Sequence, residues 1–196
     1  RGIRGTRRPR PVSLAEKIMP AAEVSEQISL AGTEASGTGN MKFMMNGALT
    51  LGTYDGANVE INQEVGDENM FLFGLRADDV ARLRPTYSAR AVYQKDPEIR
   101  QAVDMIRNNV FSLLNPGLFD PIVRSLLDYN DHYMLLADLR AYCEAQDRVD
   151  ATYRDAGEWN RRSLVNIARS GRFSSDRAVM EYARDIWHVE PVSFGD

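Results

Sequence analysis

The chain has 196 residues, of which 43% are hydrophobic and 27% charged, with a mean hydropathy of -0.40, enough apolar material for one sizeable core in a soluble protein. A formal net charge of -4 argues against general nucleic-acid binding, and no apolar run approaches the roughly 18 residues needed to span a membrane. The single Cys143 can form no internal disulfide and suits a reducing compartment, so a cytoplasmic location is expected.

Residues 1–11 differ in character from the rest of the chain. They carry five arginines among the first ten positions, mixed with glycine and proline, and show no apolar periodicity. The segment reads as a disordered basic tail or as an out-of-frame stretch of a GC-rich gene, and it has no hydrophobic continuation that would make it a secretory signal. From residue 12 the pattern changes. Ser13 to Met19 reads as a short helix capped by Ser13 and stopped near Pro20, followed by a polar segment through Glu26, Gln27 and Ser29.

The next stretch, Ala31 to Lys42, is the most informative. It contains Gly32, Gly37 and Gly39 with Thr33, Ser36 and Thr38 between them, and it runs directly into Lys42. Glycines let a backbone turn sharply and aim N–H groups at one anion, and Thr38 or Asn40 can cap a helix whose positive end favours phosphate. A primary amine near the first helical turn then suits a Schiff base to pyridoxal phosphate. Lys42 is one of only three lysines among 24 basic residues, and arginine cannot form that bond at neutral pH. The Walker and dinucleotide fingerprints fail, because Thr38 and Gly39 stand where Lys-Ser/Thr is required and Lys42 stands where a third glycine belongs. On spacing alone the loop reads equally as a strand-to-helix turn without a ligand. Glu34 lies inside the loop and either accepts hydrogen bonds from sugar hydroxyls or serves a local structural role.

Beyond the loop, a helix is expected over 38–46, a buried strand over 47–53, a turn over 54–56, a helix over 58–65 and a second buried strand over 70–74. That rhythm predicts an α/β fold with a parallel sheet. After Asp78 the pattern is nearly all helical. One apolar stripe joins Leu135, Leu136, Leu139, Tyr142, Cys143, Val149 and Tyr153; a second joins Val179, Tyr182, Ala183, Ile186 and Trp187 after the candidate caps Ser174, Ser175 and Asp176. Both stripes are expected to pack against a sheet or another part of a larger protein. His132 and His188 lack partners at metal-ligand spacing, so no metal site is expected, and the acids at 64, 67, 68, 78 and 79 read as solvated faces or helix starts. No repeat or linker divides residues 12–196.

At these residues the sequence resembles the α-glucan phosphorylases, the glycogen, starch and maltodextrin phosphorylase family. The likeness is carried by Ser25 to Ser29, Gly32 to Phe43, Asn46 to Thr50 and Asp55 to Glu60, and it extends through Phe173 to Arg177 and Tyr182 to Pro191. The resemblance implies that residues 12–196 are the C-terminal, helix-rich portion of the second, cofactor-binding domain of a GT-B fold, built from Rossmann-like domains. It implies that Lys42 is the Schiff-base lysine, that Thr38 and Gly39 hold the cofactor phosphate, and that Gln27 lies near the cofactor ring. Ser36 and Gly37 would contact the glucosyl unit through N–H groups, and Glu34 would bind its hydroxyls. The implied reaction is phosphorolysis of terminal α-1,4-glucosyl units to glucose 1-phosphate, with α-1,4-glucan and inorganic phosphate as partners and a homodimer as the assembly.

In the implied mechanism the cofactor phosphate exchanges a proton with inorganic phosphate, which protonates the departing glycosidic oxygen. Arg10 and Pro11 stand where the family usually has Tyr-Arg, and the first domain is expected to be absent. The competing expectation is therefore an inactive truncated remnant that binds at most cofactor or a partner fragment. A transaminase-like enzyme would need its own pyridinium-binding Asp and carboxylate-binding Arg, and no such pairing accompanies the loop.

Overall fold

The structure, a computed structural model, describes residues 11–190 and residue 192. The expectations for the arginine-rich residues 1–10 and for Pro191 in the family-like ending lie outside the described residues. Helix α1 (Pro11–Ile18) opens on a proline, which suits the first turn because its missing N–H would be unpaired there anyway. It therefore begins ahead of Ser13, the position expected to precede it. Pro20 sits within a 3-10 turn, Met19–Ala21, that tightens the helix end.

The polar segment expected next is instead a strand, β1 (Val24–Gln27), which pairs in parallel with β2 (Leu49–Gly52) from Val24 opposite Leu49 to Gln27 opposite Gly52. Only Ser25 of β1 is buried, so neither an apolar run nor a clean alternation marks it in the sequence. Between the two strands lies α2 (Gly39–Met45). It ends where Gly47 N–H donates to Met44 O and Ala48 N–H to Phe43 O, with Gly47 at φ +87, the paired closure that a left-handed glycine permits. Gly47 thus terminates a helix and does not begin the strand, which accounts for β2 being shorter than expected.

Helix α3 (Ala57–Val65) leads to β3 (Phe71–Leu72), also parallel, giving the sheet order β1-β2-β3. All four residues of β2 are buried, so both faces of the central strand are covered. The expected parallel α/β arrangement holds among the described residues, with the second expected strand confined to two residues.

The remainder is helical: α4 (Ala77–Leu83), α5 (Ala89–Lys95), α6 (Pro97–Arg107), α7 (Asp120–Val123), α8 (Leu135–Tyr153), α9 (Ala156–Arg169) and α10 (Ser175–Tyr182). Ser88, Asp96 and Asp155 cap α5, α6 and α9 by accepting first-turn N–H groups, whereas Ser174 precedes α10 without a side-chain cap. The Asp96 carboxylate also receives Arg140 Nε and Nη2 at 2.7 Å each; the guanidinium holds its pKa down to about 2.

Leu49, Leu51 and Phe71 pack with Ala145 and Val149 of α8 and Trp159 of α9, while Met44 packs with Ile61, Val65 and Met70. A third cluster joins Leu30 and Ala31 of the loop to Val80, Ile99, Val103 and Leu136 of the helical half. The first sequence stripe is therefore only partly inside: Leu136 and Val149 are buried, but Leu135, Cys143 and Tyr153 are exposed. The second is uncovered among the described residues, with Val179, Tyr182, Ile186 and Trp187 all more than half exposed.

Candidate functional site

The carboxyl ends of parallel strands are where α/β sheets gather ligand-binding loops, because chain turns and helix N-termini converge there. The loop 28–38 leaves β1 at that edge. Its first turn closes with Thr33 N–H donating to Leu30 O at 3.0 Å, around Gly32 at φ +86. Of Gly32 and Gly37 in the loop and Gly39 at the start of α2, Gly32 alone has positive φ. At Gly37 and Gly39 the protein leaves room: a Cβ on Gly37 would make ordinary contact with Asn40 Oδ1 at 3.5 Å, and one on Gly39 would project into open space.

Among the described residues, none of the backbone N–H groups of residues 35–40 donates to a protein acceptor. Thr38 occupies the N-cap position of α2 but makes no side-chain cap bond. Lys42 follows one turn later, its N–H donating to Thr38 O at 3.2 Å. The residue is exposed and its amine enters no ion pair among the described residues.

Gln27, Glu34 and Gly37 line a polar cleft of about 70 Å³ together with Ser29, Asn40, Thr53, Asp55 and Asn58. Ser36, Thr38 and Gly39 lie in the same loop and the start of α2, and Lys42 lies deeper in α2, outside the cleft lining. Gln27 Nε2 donates to Ser25 Oγ at 3.0 Å, which turns it along its own strand.

Sequence reasoning missed the buried pair that fixes this corner. Asn40 Nδ2 donates to Asn58 Oδ1 at 2.8 Å, and Asn58 Nδ2 donates to Thr53 O at 2.9 Å and Gln27 O at 3.4 Å. One side chain thereby ties α2 to α3 and to the ends of β1 and β2. Gly52 makes room for it, since a Cβ there would lie 2.5 Å from Asn58 Nδ2. The available signal was a pair of asparagines beside helix starts, which lacks a partner until the fold supplies one.

A larger cavity of about 440 Å³ between the same loop and α8 is lined by Ile28, Leu30, Phe73, Leu139 and Tyr142, with Asp138 as its charged member. Burial raises the Asp138 pKa, nearby Asp131 adds to that rise, and the N–H of Leu75, donated at 2.8 Å, works against it. That cavity offers an anion neither a cation nor a run of unused donors, so the chemistry belongs to the smaller cleft and the loop beside it. Among the described residues no group of three or more His, Cys, Asp or Glu could hold a metal, and no helix is long and apolar enough to cross a membrane. His132 stacks edge-on to Tyr133, and His188 Nδ1 lies 3.0 Å from Arg184 O.

A family model described as carbohydrate phosphorylase matches residues 10–189. The chain is similar to the brain form of glycogen phosphorylase from Mus musculus, 56% identical over 181 residues, covering 92% of this chain and 21% of the relative. It is similar to the liver form from Homo sapiens at 55% identity and to the muscle form from Oryctolagus cuniculus at 54%, with the same coverage of both chains. The chain thus spans about a fifth of the length of the curated relatives it matches.

Proposed function

Because this chain belongs to the carbohydrate phosphorylase family, we propose that it supplies the cofactor lysine and the sugar-facing loop of a glycogen or α-1,4-glucan phosphorylase. The reaction is phosphorolysis of terminal α-1,4-glucosyl units to glucose 1-phosphate. The observation that carries this reading is the succession of N–H donors over residues 35–40 that are unused among the described residues, ending two residues before an exposed primary amine. Those residues fit pyridoxal phosphate, which asks for an anion cradle and one amine. The open space outside Gly39 leaves the cradle approachable.

On this reading Lys42 holds the cofactor, Thr38 and Gly39 bind its phosphate, and Gln27 lies near its ring. When bound, the cofactor supplies a phosphate whose second pKa near 6 suits proton exchange at neutral pH. The chain's own groups do the rest. The N–H groups of Ser36 and Gly37 bind sugar or phosphate oxygens, and the start of α2 favours negative charge beside them. Glu34, acceptor-only when ionised, orients hydroxyl groups by receiving their hydrogens. Lys42 supplies the primary amine that captures the cofactor's aldehyde.

The same reading assigns residues 12–196 to the C-terminal portion of the second domain of a GT-B fold, in a cytoplasmic homodimer whose partners are α-1,4-glucan and inorganic phosphate. The test is release of glucose 1-phosphate from maltoheptaose and phosphate by the intact polypeptide, with and without pyridoxal phosphate. Release that depends on both additions and disappears in Lys42→Ala is the expected result. No release while Lys42 still captures the cofactor would support the alternative, a cofactor-binding piece without catalysis.

A further inference from the structure

Two residues of the turn that follows β2, Asp55 and Gly56, have no role in the reading above, yet they grip the loop that carries Glu34. Asp55 Oδ2 accepts the N–H groups of Thr33 at 3.2 Å and Glu34 at 2.8 Å, across more than twenty residues of sequence. Hydrogen bonds to an ionised carboxylate are the stronger kind. Asp55 is itself fixed, because its N–H donates to Thr53 O at 3.0 Å and its carbonyl accepts Asn58 N–H at 3.1 Å, at the start of α3. Gly56 has φ +50 and ψ -139, a conformation in which a side chain is strained. A Cβ there would lie 2.8 Å from Glu34 Cγ and 3.4 Å from Glu34 O.

We propose that Asp55 and Gly56 are positioning residues for sugar recognition: the carboxylate fixes the backbone of residues 33–34, and the bare glycine leaves the surface on which the Glu34 side chain rests. This inference rests on the reading of Glu34 as a ligand of sugar hydroxyls. Asp55 also divides the loop's donors. The N–H groups of Thr33 and Glu34 are satisfied internally, whereas those of residues 35–40 remain for a ligand. Two carboxylates, Glu34 and Asp55, therefore stand at one end of the loop and Lys42 beyond the other. A phosphate is repelled from the first end and met by the N–H groups of residues 35–40, which orients a phosphorylated sugar with its hydroxylated ring toward Glu34.

The test uses the intact polypeptide loaded with pyridoxal phosphate and compares parent, Asp55→Ala, Asp55→Asn and Gly56→Ala. Three quantities are read: covalent retention of cofactor on Lys42 after borohydride reduction, affinity for glucose 1-phosphate, and hydrogen exchange at the Thr33 and Glu34 amides. Asp55→Ala is expected to speed exchange at both amides and weaken sugar binding by about tenfold, the loss appropriate to a charged hydrogen bond, with Lys42 retention unchanged. Asp55→Asn keeps an acceptor oxygen and should recover most of that loss. Gly56→Ala should weaken sugar binding while leaving cofactor retention intact, which covers the case in which Asp55→Ala fails to fold. Parent-like sugar affinity in Asp55→Ala and Gly56→Ala, with retention intact, overturns the inference alone. A parent that retains cofactor but binds no glucose 1-phosphate overturns the reading of Glu34, and the inference falls with it.

Discussion

The region from β1 to β3 buries polar side chains, whereas α10 and the π-helical turn that extends it, Ala183–Trp187, expose apolar ones. Each inverts the usual partition between core and surface. At the carboxyl edge of the sheet the inversion is matched by hydrogen bonds: Asn40, Asn58 and Thr53 are nearly inaccessible and each has a partner there, whereas among the described residues Thr50 Oγ1 inside β2 and Asn69 Oδ1 have none. A buried amide left unpaired is costly, so such a network admits one arrangement of its members, which a site needs. In the second region Ile186 and Trp187 remain more than half exposed, and Trp187 meets Tyr182 at a ring separation of 6.0 Å. Order there costs little to disturb. Polar burial at the sheet edge builds geometry, and apolar exposure at the far end contributes little to the fold as it stands.

The largest expected effect tests the first half of that contrast. Asn58→Ala removes the acceptor of the buried Asn40 amide and takes one of two donors from each of Thr53 O and Gln27 O, which keep the N–H groups of Asp55 and Thr53. A loss of about 2 kcal/mol in chemical denaturation is expected from one buried amide left unpaired together with the shared hydrogen bonds lost. A loss below about 1 kcal/mol would show that water replaces the network and that the corner is not rigidly specified.

An intermediate effect comes from Asp138, where the helical half meets the sheet. Burial and Asp131 raise its pKa, so its protonated form is favoured in the folded chain. The stabilisation from that raised value is fully present below the ordinary carboxylate pKa near 4 and is lost as pH rises through the folded value. Asp138→Asn keeps an oxygen for Leu75 N–H without acquiring charge. It should therefore melt above the parent at pH 8, with the gap closing toward pH 4. An equal gap at both values would assign its effect to packing against Gly74, where a Cβ would already meet the Asp138 carboxyl at 2.9 Å.

The smallest effect belongs to the exposed end. Ile186→Ser should change unfolding free energy by no more than about 0.5 kcal/mol, because little apolar area leaves a packed environment. A loss of about 2 kcal/mol, typical of core truncation, would mean that this stripe is covered by protein in solution, and the contrast with the sheet region would weaken.

What was legible in the sequence depends on how local each signal is. The helix carrying Lys42, α3, the buried β2 and the helical half from α4 onward all declare themselves through composition and spacing within a dozen residues. β1 did not, because Val24 to Gln27 is mostly polar and becomes a strand through pairing with Leu49 to Gly52. Gly47 was assigned to a strand because its neighbours are apolar, whereas its left-handed conformation closes α2. In the candidate site, Lys42 and the hydroxyl-rich loop were visible as a motif. Asp55 and Asn58 fell within a family-like stretch, but their contacts were not visible, since their partners Asn40, Thr33 and Glu34 lie far away in the chain and are joined only by the turn from sheet to helix. Ser174 misled for the opposite reason: capping residues are common before helices, and only geometry shows whether a side chain serves.

The central claim is that the loop and Lys42 together form a pyridoxal-phosphate site. It is tested most directly by incubating the chain with pyridoxal phosphate, reducing with borohydride and mapping the modified peptides by mass. The account predicts stoichiometric modification confined to Lys42, with Lys17 and Lys95 unmodified; scattered labelling of all three lysines, or none at Lys42, would contradict it.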